Sequence, residues 1–124
     1  MSDPTVLIIS TDPVIGALLT VYVDANRCRA VLAEEGERPA DAVRRSGASV
    51  ILVDLDHRDG CSPAFIAEQQ AAGRAVIAFS PTALAPERRL RVDRLSIPWV
   101  ALPLAGDELG TVLAEATAAL RPRE

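Results

Sequence analysis

Apolar positions along this chain come in short unbroken runs, and these alternate with segments whose apolar residues recur at helical spacing. Thr5–Ile9 has the β-branched composition of a buried strand. Asp12-Pro13 follows, an acid at the N-cap and a proline at the first helical position, and predicts a helix to about Asn26. Its Ile15, Leu18, Leu19 and Tyr22 fall at helical spacing. Arg29–Ala33 is a weaker strand that ends at the Glu34-Glu35-Gly36 turn, and Pro39–Arg45 is a short helix stopped by Ser46-Gly47. Ser49–Asp54 is the most apolar strand, followed by a turn signal at Asp59-Gly60. Ser62-Pro63 opens a second capped helix, to about Ala72, and Gly73 closes it. Ala75–Phe79 is a fourth strand, ending at Ser80-Pro81, and Leu84–Leu95 is a fourth helix. Trp99–Leu102 is a fifth strand. The last helix begins at Gly106, carries Asp107 and Glu108 where the helix dipole favours negative charge, and has an apolar stripe of Leu109, Val112, Leu113, Ala116 and Leu120. Residues 121–124 are expected to fray.

Five β-α units with short connections predict one domain over residues 1–124, of α/β class. Right-handed crossovers make its five-stranded sheet parallel and doubly wound, with helices on both faces. Composition agrees. Of 124 residues 49% are hydrophobic but only 3% aromatic, so the core is built from Val, Leu, Ile and Ala, which suits a parallel sheet.

The net charge of −4 argues against nucleic acid as a partner. All thirteen basic residues are arginine, which we attribute to compositional bias. No run approaches ~20 apolar residues, so no membrane-spanning helix is expected, and Met-Ser-Asp-Pro lacks the basic start of a signal peptide. Cys28 and Cys61 are too few for a disulfide framework and are expected to be reduced thiols in the cytoplasm. There is no Gly-x-Gly-x-x-Gly, no Gly-x-x-x-x-Gly-Lys and no Gly-x-Ser-x-Gly, so nothing indicates a nucleotide site or a serine hydrolase. No enzymatic activity is expected. The single histidine, His57, and two distant cysteines do not make a zinc site.

Candidate chemistry centres on Asp54, a carboxylate at the carboxyl end of the most apolar strand, where open parallel sheets place their sites. Around it lie Val6-Leu7-Ile8-Ile9, Ala33-Glu34-Glu35-Gly36, Val50–Leu55, Asp59-Gly60, Ser80 and Pro103. In that order and spacing the chain resembles the response-regulator receiver domain (CheY-like) over nearly its whole length. The resemblance implies a flavodoxin-like fold with strand order 2-1-3-4-5, and it places the phospho-acceptor role on Asp54.

Several positions depart from that family's pattern. Two acids that hold Mg²⁺ correspond here to Ser10 and Thr11, and the nearest carboxylate, Asp12, is already used as an N-cap. Asp56 is a substitute ligand only if it turns inward. The family lysine corresponds to Leu102, which can neither donate to a phosphoryl oxygen nor offset its charge. The loop to Gly60 is two residues shorter than the family spacing and has lost its proline; His57 and Arg58 occupy it. The resemblance with these gaps implies an atypical receiver that works without phosphate or cofactor, through a protein partner of a signalling pathway or as a homodimer. A second reading is a degenerate phospho-receiver, with Asp54 as nucleophile, Asp12 or Asp56 helping with Mg²⁺, and Ser80 holding phosphate. A third is a small-molecule sensor using the pocket of Asp54, His57 and Ser80.

Three surfaces are candidates for a partner. Trp99 sits where the family has its switch aromatic; it either shields the sheet edge or contacts a partner. Arg88, Arg91 and Arg94 recur every three residues and form either a solvated face or a strip for an acidic partner. The first helix offers Gly16, Ala17, Thr20 and Val21 away from the sheet, and the last offers Gly110, Thr111, Ala114 and Ala118. These make a charge-poor patch through which two copies could pair.

Overall fold

The structure is a computed structural model that describes residues 3–80, 85–101 and 108–119. Its elements run β1 (Thr5–Ile9), α1 (Pro13–Ala25), β2 (Arg29–Leu32), α2 (Pro39–Ser46), β3 (Val50–Asp54), α3 (Pro63–Ala71), β4 (Ala75–Ser80), α4 (Pro86–Leu95), β5 (Trp99–Ala101) and α5 (Glu108–Ala119). Local chemistry sets the helix starts. The Asp12 carboxylate accepts from the Val14 N–H at 2.8 Å and the Ser62 hydroxyl from the Phe65 N–H at 3.2 Å, each with proline next in the chain. At α4 the residue before Pro86, Ala85, is extended, as proline requires, so the helix starts at Pro86; Leu84, the start expected from the sequence, lies outside the described residues. Gly47, at φ 64°, ends α2 in the left-handed conformation that glycine adopts without a Cβ clash.

The five strands form one parallel sheet in the order β2-β1-β3-β4-β5. Val6 pairs with Val50, Val50 with Ala75, and Ala78 with Trp99, so β1, β3 and β4 are flanked on both sides. Alternation along each strand sorts the core into two layers. Leu7, Ile9, Ile51, Val53 and Ala78 face α2, α3 and α4, where Val43, Ile66 and Val92 meet them. Val6, Ile8, Leu52, Ile77 and Phe79 face α1 and α5 through Leu19, Val23, Leu109 and Leu113. The parity of β3 puts the Asp54 side chain on the α1–α5 side.

One prediction about α1 is corrected. Leu18 and Tyr22 do not enter the core; Gly16, Leu19 and Val23 are its buried residues. Gly16 is therefore inside the fold and not on an outer face. A Cβ there would lie 3.1 Å from Leu32 Cδ2, so glycine lets α1 close onto β2. In α5 the stripe of Leu109, Val112, Leu113 and Ala116 does pack on the core. Gly106, Asp107 and Leu120 lie outside the described residues. Among the described residues no helix is long and apolar enough to cross a membrane.

Candidate functional site

β1 and β3 are central neighbours, so their carboxyl ends deliver Ser10, Thr11 and Asp54 to one place. Asp54 is fully buried. Its Oδ2 accepts from the Thr11 backbone N–H at 3.1 Å and from the Thr11 hydroxyl at 2.7 Å, and its Oδ1 accepts from the Asp56 N–H at 2.9 Å. A buried carboxylate needs such donors to offset lost hydration, and here the chain itself supplies all three. Thr11, which replaces an acid of the receiver pattern, thus serves as the donor that closes over Asp54.

The remaining candidate ligands are engaged elsewhere. The Ser10 hydroxyl donates to the Asp12 carbonyl at 2.8 Å and accepts from the Asp12 N–H at 3.1 Å, so it stabilises the turn into α1. Asp12 caps that helix. Asp56 is partly exposed and forms an ion pair with Arg88 of α4. Among the described residues no three histidine, cysteine or acidic side chains are grouped to hold a metal ion. A divalent cation of the kind the receiver pattern uses fits this donor set poorly: of the three candidate carboxylates, Asp12 caps α1 and Asp56 is paired with Arg88, which leaves Asp54 alone. Ser80 is buried at the end of β4 and has its own polar contacts. Leu102 lies outside the described residues.

The short loop after β3 folds on itself. His57 N–H donates to the Asp54 carbonyl at 2.9 Å, and the Gly60 N–H donates to His57 Nδ1 at 2.9 Å. A Cβ at Gly60 would come within 2.9 Å of Val53 Cγ2 and 3.0 Å of His57 Nδ1, so any larger residue there would have to displace those side chains. The crevice beside this loop, about 690 Å³, is lined by Thr11, Asp12, Glu34, His57 and Asp59 among others, whereas neither Asp54 nor Ser80 lines it. Of the residues expected to share a pocket, this crevice takes in His57.

The arginines of α4 divide their work. Arg88 reaches Asp56, a contact the sequence analysis did not name. Arg91 and Arg94 flank a groove of about 430 Å³ with Cys61, Pro63, Leu90 and Leu95. Arg89 stacks 5.8 Å from the centroid of the Trp99 ring, and Trp99 packs against the core layer of α2–α4. Trp99 lies two strands from β3 through Ala78. At the first and last helices, Ala17, Val21, Thr111, Ala114 and Ala118 are exposed as expected. Thr20 is half-buried, its hydroxyl donating to the Gly16 carbonyl at 2.9 Å. Gly110 is not part of an open face: a Cβ there would lie 2.7 Å from Asn26 Oδ1, so it seats α5 against the end of α1.

Two further features had no clear signal in the sequence. The guanidinium of Arg45 grips Glu37 through two bonds of 2.8 Å and donates to the Leu32 carbonyl at 2.9 Å, holding α2 to the end of β2. That grip pulls the Glu37 carboxyl down to about 2. Burial pushes up both thiols, Cys28 and Cys61, and they lie in opposite core layers with the sheet between them.

No family model matches the sequence, and no curated protein matches it. Solved structures do match the fold. The signal receiver domain of a modulated diguanylate cyclase from Desulfovibrio desulfuricans G20 aligns with a TM-score of 0.73 at 21% identity, covering 96% of this chain and 97% of that one. The Vibrio cholerae chemotaxis protein CheY4 aligns with a TM-score of 0.70 at 15% identity, over 93% and 99% of the two chains. A protein described as pilus assembly-related, from Burkholderia pseudomallei K96243, gives a TM-score of 0.72 at 21% identity over 98% and 94%. With its strand order and its five flanking helices, this chain has the fold of response-regulator receiver domains.

Proposed function

We propose that this chain is a pseudo-receiver, a signalling module that does not catalyse a reaction and acts through protein contacts without accepting phosphate. One observation carries the reading: both oxygens of the buried Asp54 carboxylate accept hydrogen bonds from Thr11 and Asp56. A nucleophilic carboxylate needs an open oxygen and a nearby positive charge to receive a phosphoryl group. Here Oδ2 takes two donors of the chain and Oδ1 one, and the positive charge of Arg88 at the rim is paired with Asp56. Asp54 serves as an anchor that ties the end of β1 to the loop after β3.

Fold likeness does not choose the output, since the similar structures include a chemotaxis protein and a pilus assembly-related protein. A receiver that works without phosphate signals through surface complementarity to a protein partner.

Intact-mass spectrometry after incubation with Mg²⁺ and acetyl phosphate tests the reading. The expected spectrum is that of the unmodified chain, for the wild type and for Asp54→Asn alike. A stoichiometric acyl phosphate in the wild type that disappears in Asp54→Asn would establish a phospho-receiver instead.

A further inference from the structure

Helix α1 has two apolar faces. One packs on the sheet through Gly16, Leu19 and Val23. The other faces outward. Val14 is 75% exposed, Val21 65%, Leu18 43% and Tyr22 38%, with Ala17 and Ala25 exposed among them. Asp24 is the only charged residue within the helix. A helix that is apolar all round is normally covered on all sides. Among the described residues the large exposed apolar side chains gather here, with Leu32 close to Gly16 at the rim; Leu90 alone lies elsewhere.

The spacing specifies what kind of surface covers it. Val14, Leu18, Val21 and Ala25 follow one another at four, three and four residues, the alternation of a coiled-coil seam. An uncharged seam with small residues beside large ones accepts another helix, and it is complementary to itself in the antiparallel sense. The ends favour that arrangement. Asp12 precedes α1 and Arg27 follows it, exposed and without an ion pair among the described residues. Antiparallel pairing sets the Asp12 of each copy beside the Arg27 of the other and opposes the two helix dipoles. The exposed side chains offer on the order of 500 Å² per copy, so a pair buries about 1,000 Å², the lower bound for a specific interface.

We infer that the outer face of α1 is a two-fold homodimer seam, with Leu18 and Val21 at its centre. It differs from a patch shared by α1 and α5, because Gly110 is consumed within the fold and α1 alone supplies the large apolar side chains. The inference rests on the reading that this chain signals through protein contacts, and it names a second copy as the partner.

Sedimentation velocity at tens of micromolar tests it. The wild type is expected at twice the chain mass of 13.2 kDa. Val21→Glu places a carboxylate at the centre of the seam and should weaken dimerisation at least tenfold. Arg27→Glu should weaken it several-fold, less so at high salt. Circular dichroism melts at dilution should be unchanged for both, since these side chains are exposed. As a second measure, Val21→Cys should form an intermolecular disulfide under mild oxidation. A wild type that stays monomeric overturns the inference whatever else the seam binds, and so does a dimer that Val21→Glu leaves intact. A seam-dependent dimer that forms only with Mg²⁺ and acetyl phosphate upholds the seam and overturns the phosphate-independent function.

Discussion

Asp54 carries three hydrogen bonds within a fully buried setting, so its role can be read as a stability effect. Thr11→Val keeps the shape of the side chain and removes the hydroxyl donor. It should cost about 1–3 kcal/mol, the usual range for leaving a buried acceptor short of a partner, measured by urea unfolding. Asp54→Ala should be destabilising by a similar amount, and the two changes together should be less than additive because they share one bond. An unchanged urea midpoint in both single variants would remove the anchor role. The cysteines give a second residue-scale prediction. Burial raises both thiols, most strongly through lost hydration, with Asp3 adding to the effect at Cys28 and Arg91 opposing it at Cys61. Both should react slowly with a thiol reagent at pH 8 in the native protein and at full speed in denaturant.

Between elements, the Glu37–Arg45 grip joins α2 to the end of β2. The folded carboxyl sits at about 2, below its ordinary value of 4.5, so the contact stabilises the fold above that ordinary value and is lost as pH falls toward 2. Glu37→Gln should therefore lower the urea midpoint at pH 6, and the gap to wild type should close between about pH 4.5 and pH 2. The loop after β3 depends on a close approach of a different kind. Gly60→Ala inserts a methyl group against Val53 and His57 and should cost about 1–3 kcal/mol by overpacking. Arg88 ties α4 to the same loop through Asp56, so Arg88→Ala should speed amide exchange in the first turn of α4 with little loss of global stability, as expected of a partly exposed ion pair.

Across the whole molecule, one sheet separates two core layers, and Phe79 is the largest fully buried side chain. Phe79→Ala leaves a cavity beneath α1 and α5 that should cost about 3–5 kcal/mol. That is a large share of the roughly 5–15 kcal/mol that holds a domain of this size together. Calorimetry should show a much lower melting temperature but still one transition, since each central strand contributes side chains to both layers. Two separate transitions would mean that the layers fold independently.

The order and type of the elements were legible because each carries its own local signal. Asp12-Pro13 and Ser62-Pro63 cap their helices as their chemistry dictates, and β3 is apolar on both faces because a central parallel strand is covered twice. The position of Asp54 followed from that strand. The buried face of α1 was not legible, since a helix apolar all round offers periodicity no contrast, and a glycine that permits close packing looks the same in sequence as one on an open face. The grip of Thr11 on Asp54 spans 43 residues, and that of Arg88 on Asp56 spans 32. Such pairings depend on which strand ends and helix starts the sheet brings together. Local sequence thus determined the elements and the residue types at the site, whereas only the tertiary structure decided which donors closed over the carboxylate and which apolar face was left uncovered.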